Sequence, residues 1–195
     1  MDRKKIEKIL DLFEHFERLK NTPRTGYTYF GIKHPESVAE HSYMVSFISM
    51  VLALLLKDEG MDIDVEKTLM MAILHESGEV LIGDLHRMAR KYIGNETVEH
   101  AEEKAAEDLF SLLPDNVKKK ITDVYLEFNR RESNEAVLVT SADKLELLFF
   151  AYLLEKWGHT NLEAFFEHRG NLDMIKNPLA RNLVDVLFEK RRAER

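Results

Sequence analysis

The 195-residue sequence has no cysteine, four prolines, eight glycines and one tryptophan. Without thiols there is no disulfide, no thiolate nucleophile and no sulfur metal ligand, so any metal has to be held by imidazole and carboxylate. Positive charge is in deficit: 28 Lys and Arg stand against 35 Asp and Glu, a formal net charge of −7. A nucleic-acid binder neutralises many phosphates with a basic surface, so no nucleic-acid partner is expected. A small anionic substrate held by local cations remains compatible with this balance. Long apolar runs are missing too. The longest uncharged stretch, Ser42–Leu56, is shorter than the roughly 20 residues that cross a bilayer, and the opening MDRKKIEKIL lacks an apolar signal core. The expectation is a cytoplasmic protein with no membrane partner. At 22.8 kDa a chain buries about 70% of its surface on folding, ample for a core.

Abundant Leu, Glu, Lys, Ala and Met, with apolar residues recurring every three to four positions, predict an all-α fold. The first helix is expected over Arg3–Lys20, with Ile6, Ile9, Leu10, Phe13, Phe16 and Leu19 on one stripe. A polar, aromatic loop over 21–35 carries Arg24. Ser37-Val-Ala-Glu40 has the form of a capping box, which puts His41 in the first turn of a second helix ending near Gly60. That helix is apolar almost all round, so it is expected to be central. A third helix starts at Asp62 or Asp64 and runs to His75 and Glu76. Gly78 and Gly83 loosen the backbone beyond it. Further helices are expected over Glu96–Leu113, Asp115–Arg131, Ser133–Trp157 and Leu162–His168, and a last one opens with Asn177-Pro178. No repeat or linker interrupts the chain, so residues 1–195 read as a single domain.

Of eight histidines, His15, His34, His100, His159 and His168 lie in polar surroundings and read as ordinary solvated residues. His41, His75 and His86 differ. His41 begins an apolar helix and His75 ends another, with Glu76 next to it. Each alone could be a buried histidine satisfied by one hydrogen bond. Together with acids they form a donor set suited to a borderline first-row ion. Asp143 is the candidate for a further carboxylate, because a charge on the apolar helix around it is costly to bury unless paired or metal-bound; a partly exposed ion pair with Lys144 or with an i+4 partner is the alternative. Glu79 is four residues after His75 and shares its face if the helix persists. Asp84 follows Gly83 and could equally cap the next helix.

These residues resemble the H…HD…D pattern of the HD-domain metal-dependent phosphohydrolases, read here as His41, His75-Glu76 and Asp143. The surrounding strings, Pro23-Arg-Thr-Gly26, Pro35-Glu-Ser-Val-Ala-Glu-His41, His75-Glu-Ser-Gly-Glu79, Gly83-Asp84 and Ala142-Asp143-Lys144, resemble in order the YfbR-like branch, the HD-domain 5'-deoxynucleotidases, from about Leu19 to Leu154. The resemblance implies an HD-type helical bundle hydrolysing nucleoside 5'-monophosphates. It implies His41, His75, Glu76 and Asp143 as ligands of one divalent transition metal (Mn, Co, Ni, Zn or Fe). It further implies that Glu79 assists the attacking water, that Arg24, Thr25, Asp84 and Arg87 are on the substrate, and that the protein is a homodimer. Asp84 could protonate the leaving oxygen or bind a sugar hydroxyl.

The chain departs from the family twice. Glu76 stands where Asp is usual, one methylene longer, which keeps open a weakened nucleotide-binding module. Thr25 stands where bacterial members often carry an aromatic residue, leaving only Tyr27 or Tyr29 to supply a ring. Other HD phosphohydrolases fit less well: Val80 occupies the last position of the HDxxED string of alarmone hydrolases, and no histidine lies between His100 and Asp143 for a two-metal site.

Overall fold

The computed structural model describes residues 2–194. Among these residues the fold is all-α, as expected, with no strand and one isolated antiparallel bridge between Pro23 and Ser37. The helices are α1 (Arg3–Glu17), α2 (Thr25–Tyr29), α3 (Val38–Asp58), α4 (Val65–Leu74), α5 (Glu79–Ile82), α6 (Arg87–Ile93), α7 (Asn95–Phe110), α8 (Asp115–Arg130), α9 (Asn134–Lys156), α10 (Glu163–Glu167), α11 (Arg169–Asp173) and α12 (Pro178–Ala193). A 3-10 turn, Arg18–Asn21, follows α1 where a longer helix was expected.

Local chemistry sets most boundaries. The capping box forms: Glu40 N–H donates to Ser37 Oγ at 3.2 Å and Glu40 Oε2 accepts from Ser37 N–H at 2.7 Å. Asp64 caps α4 through the Lys67 N–H, and Asn177 caps α12 by accepting from Leu179 and Ala180 N–H at 3.1 Å each. Such caps satisfy the orphan amides of a helix start.

Two expectations are corrected. α4 stops at Leu74, and residues 75–78 form a tight turn in which Ser77 N–H donates to Leu74 O. Glu79 therefore opens a new short helix instead of sharing a helical face with His75. α3 is not central on all sides either. Val45, Leu52, Ala53 and Leu56 are buried, while Tyr43, Phe47, Val51, Leu54 and Leu55 are exposed. The same helix is long and apolar enough to cross a membrane by length and composition, a property that a helix with one buried core face shares.

The chain divides into two compact units. The first runs to Ser42 and resumes over Ile73–Leu126. Within it α7 is the long support against which α1, α5 and α6 pack, with Val98, Ala106, Leu109 and Phe110 buried and the Phe110 ring set edge-on to Tyr125. Gly78 permits the closest approach: a Cβ there would lie 2.6 Å from Glu102 Cβ and 2.8 Å from its backbone. The second unit is Tyr43–Ala72 with the chain from Glu127 onward. There α9 packs on α10 and α12, and Arg191 lies over the Phe166 ring while pairing twice with Glu155, at 2.6 and 2.7 Å. Lys67 bridges Glu127 and Glu135 at 3.0 and 3.1 Å, and Glu135 also accepts the Asp64 N–H.

Candidate metal centre and its surroundings

Three side chains of the first unit converge. His41 comes from the first turn of α3, while His75 and Glu76 come from the turn that ends α4. His41 Nε2 and His75 Nε2 are 3.4 Å apart, and Glu76 Oε1 lies 3.5 Å from each. A point equidistant from the corners of this triangle can lie about 2.0–2.2 Å from all three, the range of zinc bonds to imidazole and carboxylate. His41 is fully buried and His75 nearly so. Glu36 Oε1 lies 3.7 Å from His41 Nδ1. Its negative charge stands beside the imidazole on the side away from the triangle. Two imidazoles and a carboxylate so arranged fit a divalent transition metal.

Arg24 is not a solvent-facing loop residue. Its Nη1 donates to Glu76 Oε1 at 2.9 Å, and the two side chains retain only 11% and 15% exposure. Its own N–H is held by Glu36 O at 3.0 Å, so Glu36 touches both the histidine and the arginine segments. The sequence by itself assigns Glu36 no role; its signals there are its place just before the capping box and within the string Pro35–His41.

Thr25 and Asp84 face one another. Thr25 N–H donates to Asp84 Oδ2 at 2.6 Å, and its hydroxyl donates to Asp84 O at 3.0 Å. Glu79 is 4% exposed, and its Oε2 is buried without a hydrogen-bond partner. Burial, first, and the charges of Glu76 and Asp84 push the Glu79 carboxyl well above its ordinary value; Arg24 opposes this and Glu102 adds to it. A buried carboxyl with a raised pKa, three residues from a candidate ligand, has the character of a general acid–base group: once ionised it is a stronger base than an exposed carboxylate.

Arg87 is exposed at the start of α6. Asp143 belongs to the second unit, where it is buried on α9 with Lys144 Nζ 2.7 Å from its Oδ2. Tyr27 is wholly buried, whereas Tyr29 is exposed and its ring lies 4.9 Å from that of His86. Of the two aromatic candidates, only Tyr29 is accessible.

Residues 16–176 match a family model described as HD domain. The 5'-deoxynucleotidase HDDC2 of Dictyostelium discoideum is 32% identical over 195 residues, covering 96% of this chain and all of that protein. A conserved hypothetical protein from Pyrococcus furiosus has a solved structure that superposes with a TM-score of 0.78 at 39% identity, over 94% of this chain and 99% of that one. A protein from Magnetospirillum magnetotacticum, described as a predicted metal-dependent phosphohydrolase, shares the fold: TM-score 0.67 at 22% identity, over 96% and 97% of the two chains.

Proposed function

The chain belongs to the HD-domain family, and we propose that it is a metal-dependent phosphohydrolase that cleaves (deoxy)nucleoside 5'-monophosphates to nucleoside and phosphate. The observation that carries this reading is the triangle of His41, His75 and Glu76 with the Arg24 guanidinium directly on it. The name borne by the Dictyostelium relative supports the substrate class.

A divalent transition metal held by His41, His75 and Glu76 supplies Lewis acidity toward a phosphoryl oxygen and lowers the pKa of water. The chain's own residues do the rest. Arg24 presents a planar fork of five N–H donors, so its pair with Glu76 is compatible with gripping phosphate oxygens. Glu79 accepts the proton of the attacking water at Oε2, since its raised pKa makes the carboxylate a stronger base than an exposed one. Asp84 holds Thr25, and with it the arginine segment, through two hydrogen bonds. The resemblance adds Asp143 as a ligand, and the metal stoichiometry of Asp143→Asn tests that assignment.

The decisive experiment strips the protein of metal, reloads it with Mn, Co, Ni, Zn, Fe or Mg in turn, and measures phosphate release from deoxyribonucleoside and ribonucleoside 5'-monophosphates and from cyclic nucleotides. Release from the monophosphates is expected. No release with any ion overturns the reading. The Arg24–Glu76 pair favours a second reading, a nucleotide-binding module with weak turnover, because one oxygen serves both arginine and metal. Binding of a nucleotide without hydrolysis would support it.

The exposed stripe Tyr43, Phe47, Val51, Leu54 and Leu55 on α3 supports a homodimer, since monomers seldom leave a contiguous apolar face in water.

A further inference from the structure

Two of the pieces that border the candidate site are too short to hold a shape alone. α2 has five residues and α5 has four, and a single helical turn is unstable without outside support. That support comes from α7 through Glu102. At one end, the missing Cβ of Gly78 lets the turn bearing Glu76 and Glu79 lie against the Glu102 backbone. At the other, the Glu102 carboxylate pairs with Arg90 Nη2, and Arg90 Nε donates to Leu85 O at 3.0 Å. Leu85 follows Asp84, which takes both the N–H and the hydroxyl of Thr25. Thr25 follows Arg24, whose Nη1 returns to Glu76.

We infer that Arg90 and Glu102 are a positioning pair for Arg24, fixing where its guanidinium stands relative to the site. The inference rests on the phosphohydrolase reading for its consequence in catalysis, but not for its geometry. The two partners of the Arg24–Glu76 contact are thereby referred to one residue on one long helix. The side chains of Arg90 and Glu102 are 25% and 17% exposed. A partly buried guanidinium that forks between a carboxylate and a carbonyl holds both acceptors at a set separation, which a lysine point charge cannot do. Arg90 reaches Arg24 through Leu85, Asp84 and Thr25, while Glu102 holds Arg90 and also backs the turn that bears Glu76.

The full-length protein tests this in two ways. Hydrogen exchange compares wild type with Arg90→Gln: exchange is expected to accelerate over residues 25–29 while α9 and α12 are unaffected. Unchanged exchange over 25–29 overturns the inference, whether or not the protein hydrolyses nucleotides. Steady-state kinetics with a deoxynucleoside 5'-monophosphate then read the consequence. Arg90→Gln is expected to raise KM by about ten- to a hundredfold, with a smaller change in kcat, the scale of a misplaced binding group. Arg90→Lys is expected to remain impaired, and its full recovery would overturn the bridging role.

In an Arg24→Ala background, Arg90→Gln should have no further effect on KM; a multiplicative loss there would mean that Arg90 acts elsewhere, against the inference. Mn2+ affinity measured calorimetrically should be the same in Arg90→Gln as in wild type. If Arg90→Gln does not fold, Glu102→Gln carries the hydrogen-exchange comparison over residues 25–29. Absence of hydrolysis by wild type with every metal would sink the phosphohydrolase reading alone, leaving the exchange result to decide the positioning pair.

Discussion

Arg24 Nη1 lies 2.9 Å from Glu76 Oε1, the oxygen that is also 3.5 Å from Nε2 of both His41 and His75. One carboxylate oxygen therefore joins the Arg24 guanidinium to the two imidazoles of the candidate metal centre.

Glu76→Gln removes the negative charge shared by arginine and metal. Calorimetric titration with Mn2+ or Co2+ should show affinity lowered by at least about 10- to 100-fold, the loss associated even with groups one shell further out. An unchanged affinity would remove Glu76 from the ligand set. Glu76→Asp should retain metal but weaken the reach to Arg24, raising KM for nucleotide more than it changes metal affinity.

Glu79 yields a pH prediction with a definite sign. Its folded pKa is raised above the ordinary 4.5, first by burial and then by Glu76 and Asp84, against the opposing charge of Arg24. The folded state therefore holds the proton to higher pH than the unfolded state does. That contribution to stability is complete below the unfolded value and is lost as pH rises through the folded one. In urea unfolding of metal-free protein, wild type should lose stability relative to Glu79→Gln as pH climbs above about 4.5. A difference that stays flat or grows the other way would contradict the burial of this group.

Gly78→Ala introduces a Cβ 2.6 Å from Glu102 Cβ and 2.8 Å from its Cα and O. Backbone cannot move aside as a side-chain tip can, so the turn has to shift. A loss of about 1–3 kcal/mol in denaturant unfolding is expected, together with reduced turnover because Glu76 and Glu79 ride on the displaced turn.

Asn177→Ala deletes the acceptor of two N–H groups at the start of α12. The cost should be about 1–2 kcal/mol by chemical denaturation, with kcat and KM unaltered.

Phe47→Glu places a charge in the middle of the exposed α3 stripe. Sedimentation velocity should show a dimeric wild type and a monomeric variant, both folded by circular dichroism.

Caps were the most legible feature of the sequence. The Ser37/Glu40 box, Ser133 and Asn177-Pro178 each start a helix where the letters place it, because a cap acts over three or four residues and needs no distant partner. The short helices α2, α5, α6 and α11 are not legible in the same way: one or two turns carry too little periodicity, and their contacts with longer helices decide their conformation. The exposed face of α3 is hidden for a related reason. Leu, Val and Met mark what can be buried, but which of them finds a neighbour depends on where the other helices lie.

What the sequence determined by itself was chemical inventory and local geometry: an all-α chain, thiol-free, with His41 at a helix start and His75-Glu76 at a helix end. The tertiary structure decided which of these groups meet. It broke α4 at Leu74, so that a turn, not a helical face, aims His75 and Glu76 at His41. It set Arg24 on Glu76 and Asp84 on Thr25 across 52 and 59 residues of chain, and it gave Arg90 and Glu102, which no motif marked, a place in the support. Hydrogen bonds between residues so far apart in sequence leave no periodic trace, because each depends on the packing of whole helices and not on the letters beside it.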